Sequence, residues 1–312
     1  MDSHFQVGNP KARAYVSGRF ELEINNQPVG VLNAVDGGHF KSEPIGEQVG
    51  GEGLVTRYPG RQKWEDITIT CGASMSQLFW DWIKECIDNN PTRRSGAIVA
   101  RDFDNRERSR RTFIDAIISE IQFPQLDLKS KSPKNITVKI APEQMSFESK
   151  VGPKPKTGPG SVERQKKQTP QNFGFKIEGI DDWFTSRVVK IDAFSVKQNV
   201  INAPVGGLLY APKETGRIEH PTISIYTPEA HITPWMKWWE QFVGRGEHIG
   251  ANERTGSITY LNSTFQEELI QLDLRGIGIT GITFDKLDGH VEQIRHAKID
   301  LYVETMSLKS KG

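Results

Sequence analysis

Few side chains capable of chemistry occur in this chain, and their spacing does not suit it. Seven histidines (His4, His39, His220, His231, His248, His290, His296) and two cysteines (Cys71, Cys86) are the natural candidates for metal ligands or nucleophiles. Zinc chemistry needs such residues at spacings like HExxH or CxxC, which gather them on one helix face or in one turn. Neither spacing occurs, and His290 and His296 straddle a turn and a strand start. The nucleophile elbow GxSxG and the phosphate loop GxxxxGK[ST] are also missing. Gly276-Ile-Gly278-Ile-Thr-Gly281 approaches the dinucleotide fingerprint, but it sits inside a strand-period apolar run and does not open a helix. Glycine in that setting points to a bulge or to close backbone approach. No catalytic, cofactor-binding or metal-binding residue is assigned, and no cofactor is expected.

The strongest local charge feature is Arg101 to Arg111, RDFDNRERSRR. Unpaired, such a run would contact phosphate. Asp102, Asp104 and Glu107 are interleaved with it, which favours a solvated hairpin turn whose charges pair among themselves. A net charge of +1 supplies no bulk field for nucleic acid, membrane or acidic substrates. No apolar stretch approaches the roughly 18 residues of a transmembrane span, and the N-terminus, Met-Asp-Ser-His-Phe-Gln, does not read as a signal peptide. Cys86 falls on a helix stripe and reads as a small core hydrophobe. Nothing in the chain needs an oxidising compartment.

The elements that would position these residues are mostly strands. Phe20 to Ile24 alternates apolar and polar residues, as a strand facing a core on one side does. Val29–Val35, Trp64–Thr70, Gly96–Asp102, Thr112–Phe123 (with a bend) and Asn135–Ala141 read as further strands. Ser76 to Asn89 carries Phe79, Trp82, Ile83 and Cys86 at the i, i+3, i+4, i+7 spacing of an amphipathic helix. A Gly-rich excursion from Gly37 to Pro59 is long for a loop inside a compact domain and reads as a functional loop or as part of a hairpin arm.

Each of these features returns. Ile67-Thr68-Ile69-Thr70 recurs as Ile223-Ser224-Ile225-Tyr226, and the helix stripe recurs as Trp235, Trp238, Trp239 and Phe242. Phe113, Ile118, Ile121 and Phe123 recur as Leu274, Ile279, Ile282 and Phe284. Strands are expected at Phe173–Ile177, Val188–Phe194, Gly256–Leu261, Ile270–Phe284 and Ala297–Val303, a helix at Thr233–Phe242, and a second arm at Asn199–Gly216. An internal repeat of about 140 residues implies one module used in tandem. The expected division is 1–149, a Pro- and Gly-rich linker at 150–171, and 172–312. The fold class is mainly β with one helix per domain, each a barrel or sandwich with the helix across one opening. Phe79, Trp82, Ile83, Trp235, Trp238 and Trp239 are expected as helix core. Gly37, Gly38, Pro44, Gly50, Gly51, Asn199, Pro204, Gly206 and Gly207 mark the candidate assembly arms.

Lys63-Trp64-Glu65-Asp66-Ile67-Thr68, Cys71-Gly72, Met75-Ser76 and Phe79-Trp80-Asp81-Trp82-Ile83-Lys84 resemble the tail-tube protein family of contractile phages and phage-like injection systems. Arg57-Tyr-Pro-Gly60, Ser95 to Ala100, Ser109 to Phe113 and Asn135 to Pro142 continue the match in order. The resemblance covers most of residues 15–148; residues 172–309 join it mainly through the repeat. It implies a small β-barrel or sandwich with one helix, assembled with itself into hexameric rings that stack into a hollow tube inside a sheath. It further implies a structural role without enzymatic activity, in a virion tail or injection particle assembled in the bacterial cytoplasm. The expected partners are other copies of the chain, then tube, sheath or baseplate proteins. DNA or protein cargo would pass through the lumen without specific recognition, and no membrane insertion is expected. The duplication leaves two arrangements open: a pseudo-sixfold ring of three chains, or a specialised adaptor or initiator ring of six chains in two stacked layers. Divergence of surface residues between the halves leans toward the second. Other classes kept open are a soluble binding module and a small-barrel enzyme.

Overall fold

Alternation along Arg19–Ile24 sends Leu22 and Ile24 to a fully buried face, and this strand (β1) begins the described chain. The computed structural model describes residues 18–49, 54–130, 134–149, 168–203, 206–207, 210–247, 253–262, 264–265, 267–286 and 294–310. β1 turns into β2 (Gln27–Leu32) through Asn25 and Asn26, both at positive φ (50° and 62°), the conformation a two-residue hairpin turn requires. There follow β3 (Ala34–Gly37), β4 (Phe40–Val49), β5 (Leu54–Trp64), β6 (Ile67–Cys71), α1 (Gln77–Ile87), β7 (Arg94–Arg101), β8 (Glu107–Phe123), β9 (Leu126–Asp127), β10 (Ile136–Ala141) and β11 (Gln144–Ser149). The second half contains β12 (Gln168–Ile177), α2 (Asp182–Thr185), β13 (Lys190–Ile191), β14 (Phe194–Asn202), β15 (Lys213–Glu219), β16 (Ile223–Pro228), α3 (Thr233–Trp239), β17 (Arg254–Asn262), β18 (Glu268–Phe284) and β19 (His296–Ser310).

The fold is mainly β, as the alternating patterns predict. One sheet runs β2-β1-β7-β8-β10-β6-β3, with β11 also on β8, and the other runs β12-β17-β18-β19-β16-β13-β9. The order β1-β7-β8-β10-β6-β3 is followed by β12-β17-β18-β19-β16-β13. Registers correspond as well. Phe20 faces Ala100 where Phe173 faces Tyr260. Ile69 faces Val138 where Ile225 faces Ile299. Phe113 faces Met145 where Leu274 faces Met306. The bend expected within Thr112–Phe123 sits at Asp115 (φ 49°), and Gly276 (φ 61°) holds the corresponding place in β18.

Several boundaries differ from the sequence reading. Val29–Val35 is split at Asn33 into β2 and β3. Trp64 closes the arm strand β5, so the following core strand starts only at Ile67. Of Val188–Phe194, only Lys190 and Ile191 pair as a strand, and Phe194 opens β14. Each half was expected to hold one helix, but the second has an extra short helix, α2, capped by the Asp181 carboxylate on the Trp183 N–H. α3 passes into a π-helical turn at Glu240–Gly244, so the expected helix to Phe242 is only partly α. These departures sit at short or irregular segments, where a hydrophobic period is too brief to register. Of the expected linker 150–171, residues 150–167 lie outside the described residues and 168–171 belong to β12.

The helices close the cores. α1 buries Phe79, Trp82, Ile83 and Cys86, together with Trp80 and Ile87; α3 buries Trp235 and Trp238, with Trp239 half-buried. The Trp82 indole N–H donates to the Thr92 carbonyl at 3.0 Å. Burial pushes the Cys71 and Cys86 thiols up to about 12, so both act as inert core groups.

Candidate assembly interface

Both Gly-rich excursions fold as two-stranded hairpins with one pairing scheme. In the first arm Lys41 faces Lys63 and Ser42 faces Gln62; in the second Lys197 faces Glu219 and Gln198 faces Ile218. Gly37 and Gly38 lie at the root of the first arm with φ of 79° and 67°. A Cβ on Gly37 would stand 2.2 Å from the Asp66 carbonyl oxygen, so only glycine lets the strands diverge there. Pro44 lies in β4 facing Pro59. Asn199 is an exposed residue of β14, and Gly206 and Gly207 form an exposed turn. Gly50, Gly51 and Pro204 lie outside the described residues.

The two arms differ in what they touch. β14 of the second half pairs antiparallel with the end of β8 in the first: Phe194 faces Phe123, Ser195 faces Gln122, Val196 faces Ile121 and Lys197 faces Glu120. A short strand pair, β9 with β13, joins the halves again, with Leu126 facing Ile191. Phe123 stacks on Phe194 and lies 6.3 Å from the Tyr260 ring. Around this apolar seam runs a polar collar. The Lys213 backbone N–H donates to Glu143 at 3.1 Å, its ammonium reaches Asp66 at 3.2 Å, and Arg93 bridges Glu143 and the Lys213 carbonyl. Trp64 meets Tyr210 edge-on at 6.1 Å. The Lys139 ammonium, then the Ser195 hydroxyl and the Lys197 charge, hold the Glu120 carboxyl below the usual carboxylate range despite partial burial. α1 packs against β19, and the Ser310 hydroxyl donates to Gln77 at 3.3 Å. The expected second arm Asn199–Gly216 is thus longer at its root than read, starting at Phe194, and it lies on its own chain.

Among the described residues the first arm has no such cover: β4 pairs only with β5, and Phe40, Ile45, Val55 and Tyr58 are exposed. The end of β18 matches it: along Gly281–Phe284 that strand has β19 on one side and no strand on the other among the described residues. Sequence reasoning missed this distinction, because Val196 and Phe40 are both apolar residues in alternating runs.

The Arg-rich run forms ion pairs. Arg108 pairs with Asp102, and Arg110 with Glu107 at 2.8 Å, as interleaving predicts. Glu21 and Glu23 on β1, not foreseen, also take part: Arg101 pairs with Glu21 at 2.6 Å and Arg110 with Glu23 at 2.6 Å. Hydrogen bonds from Arg110 to Glu107 and Glu23 raise its already high pKa further. Such engaged guanidiniums are poorly placed for phosphate.

One open cleft of about 330 Å³ is lined by Glu178, Gly179, Trp238, Gln241, Phe242, Glu253 and Arg254. Arg254 stacks over the Trp238 ring at 4.3 Å, and the Tyr302 hydroxyl donates to Glu253 at 2.9 Å. The lining holds two carboxylates, Glu178 and Glu253, and no serine, cysteine or histidine. Gly278 admits the Tyr302 ring, since a Cβ there would lie 2.1 Å from it. His296 lies beside Asp285, whereas His290 is outside the described residues. Among the described residues no cluster of three His, Cys, Asp or Glu side chains could hold a metal ion, and no helix is long and apolar enough to cross a membrane.

Residues 16–146 match the family model described as T4-like virus tail tube protein gp19. The tail-tube resemblance is thereby borne out over residues 16–146. No curated protein matches the chain. Among solved structures it is similar to a chain of an extracellular contractile injection system, the PVC sheath–tube complex in the extended state, at 13% identity over 50% of this chain and 99% of that one, with TM-score 0.36. It is also similar to a chain of the anti-feeding prophage baseplate at 12% identity over 44% of this chain and 91% of that one, with TM-score 0.34. A third is a chain of the anti-feeding prophage tube-terminating cap, at 14% identity over 45% of this chain and 89% of that one, with TM-score 0.31.

Proposed function

We propose that this chain is a structural subunit of a contractile tail or injection particle, in which its two halves are duplicated modules filling neighbouring places of one tube or tube-like ring. The tail-tube match over residues 16–146 supports the structural role. Common strand order and register support the duplication. The single observation that carries the arrangement is the seam: β14 of one half extends the sheet of the other at β8. Edge pairing of this kind sets modules side by side, since strands in one sheet lie about 4.8 Å apart in a shared surface. That favours a ring of three chains with pseudo-sixfold symmetry over six chains in two stacked layers. The ring would meet tube, sheath or baseplate proteins at its faces and pass DNA or protein cargo without specific recognition. Its place is the tail or injection particle, and its assembly is cytoplasmic.

Electron microscopy with native mass spectrometry tests the reading. Closed rings of three chains are expected. Rings of six chains would replace the side-by-side arrangement with stacked layers, and a monomer under conditions that preserve intact particles would overturn the structural role.

A further inference from the structure

We propose that a second copy of this chain lays its first arm on the open end of β18, with Lys41 facing Gly281, Phe40 facing Ile282 and His39 facing Thr283. The inference rests on the neighbouring-halves reading above and names the joint between chains. The pattern is the chain's own seam. There Lys197, Val196 and Ser195 face Glu120, Ile121 and Gln122. Arm registers make Lys41, Phe40 and His39 the counterparts of Lys197, Val196 and Ser195. Barrel registers make Gly281, Ile282 and Thr283 the counterparts of Glu120, Ile121 and Gln122, because Ile118 faces Ile140 where Ile279 faces Leu301.

Several of the apolar and acidic counterparts differ in cover, in one sense. Phe123 is 0% exposed beneath the second arm, whereas Phe284 at the same place in β18 is 47% exposed. Val196 is 1% exposed in the seated arm, whereas Phe40 in the free arm is 55% exposed. Glu143, held by the Lys213 N–H, is buried; Glu304, which holds its place in β19, is exposed. Arg57 takes the place of Lys213 in the free arm, so the joint would bring Arg57 toward Glu304 with opposite charge. The helices follow the pattern. Trp80 and Ile87 are buried on α1 under β2 and β19, while Met236 and Val243 at the same places after β16 are exposed. A strand edge with free N–H and C=O groups and apolar side chains is a template for an added strand. Among the described residues, each chain therefore has one arm seated on itself, one arm unseated and one edge unfilled. Donor and acceptor lie on different halves, so the contact is head to tail.

The test is a disulfide across the joint. Residues facing each other on paired strands have Cα atoms about 4.5–5.5 Å apart, within disulfide reach. His39 and Thr283 are both exposed, and the native thiols are buried and unreactive. His39→Cys and Thr283→Cys chains are purified separately, mixed and oxidised. The expected product is a linked dimer holding one chain of each kind, with a ladder of linked chains from the double variant. Ser195→Cys with Gln122→Cys, which should close within one chain, controls for seam geometry. Closure of that control without any mixed link overturns the proposal, including where the protein remains monomeric. Phe284→Asp should lower the mixed link about tenfold or more, since it would bury a charge in the joint, while leaving the melting temperature of the single chain in place. An unchanged yield overturns the register. Glu304→Arg should weaken the link and Arg57→Glu in the partner chain should restore it. Mixed links without closed rings would keep the joint and defeat the ring; closed rings without mixed links would do the reverse.

Discussion

Phe123 and Phe194 stack with ring centroids 5.1 Å apart and planes inclined at 26°, and they come from opposite halves of the chain. Both are buried. Their contact ties the edge of one sheet to the root of the other half's arm. Phe→Ala at either position should lower stability by about 3–5 kcal/mol through the lost transfer energy and the cavity left behind. A double-mutant cycle by thermal or denaturant unfolding should return a coupling of about 0.5–1.5 kcal/mol beyond burial. Zero coupling would mean that the ring stacking adds nothing beyond the separate burial of each side chain.

The same seam carries a pH dependence. Glu120 is held below the usual carboxylate range by Lys139, then Ser195 and Lys197. A carboxyl lowered in the folded state stabilises it fully above its unfolded pKa, about 4.3, and that contribution is lost as pH falls through the folded value. Glu120→Gln should therefore melt lower than the parent at neutral pH, and the difference should close as pH drops below about 4. A gap that persists in acid would assign the loss to packing.

The two halves share a glycine that cannot be replaced cheaply. A Cβ on Gly96 would lie 2.1 Å from the Glu23 carbonyl oxygen, and one on Gly256 would lie 2.5 Å from that of Lys176. Backbone on a paired strand has little room to give, so Gly96→Ala and Gly256→Ala should each cost about 1–3 kcal/mol or more. Gly72, with nothing within 4 Å of an added Cβ, is the control, and Gly72→Ala should stay within about 0.5 kcal/mol. Equal melting temperatures for all three variants would show that the strands can separate locally.

Helix tryptophans should behave as core, with one difference between halves. Trp82→Ala and Trp238→Ala should each cost about 3–5 kcal/mol. Trp82→Phe also strands the Thr92 carbonyl, whereas the Trp238 indole N–H is buried without a partner and its removal sacrifices no hydrogen bond. Trp82→Phe should thus be the costlier of the two by about 1 kcal/mol. Unchanged stability with loss of a bound small molecule would reassign these side chains to a ligand site.

Much of the fold was legible in the residues themselves. Strand alternation at Phe20–Ile24 and Ile67–Thr70 and the helical stripe at Phe79, Trp82 and Ile83 are local patterns, and local backbone geometry with a nearby core reproduces them. Charge interleaving in Arg101–Arg111 likewise announced its own neutralisation, because Asp102 and Glu107 are within side-chain reach along the chain. The participation of Glu21 and Glu23 was not legible, since β1 reaches the run only through the β1–β7–β8 pairing. Nor was the fate of the arms. Val196 and Phe40 are apolar residues at equivalent places in similar hairpins, and nothing in their spacing separates them. One is covered because it pairs with the β8 edge of the same chain, and the other has no strand beyond its own hairpin among the described residues. Sequence period fixes which face of a strand is apolar; which edge that strand joins is a contact between distant residues, and tertiary structure alone decides it.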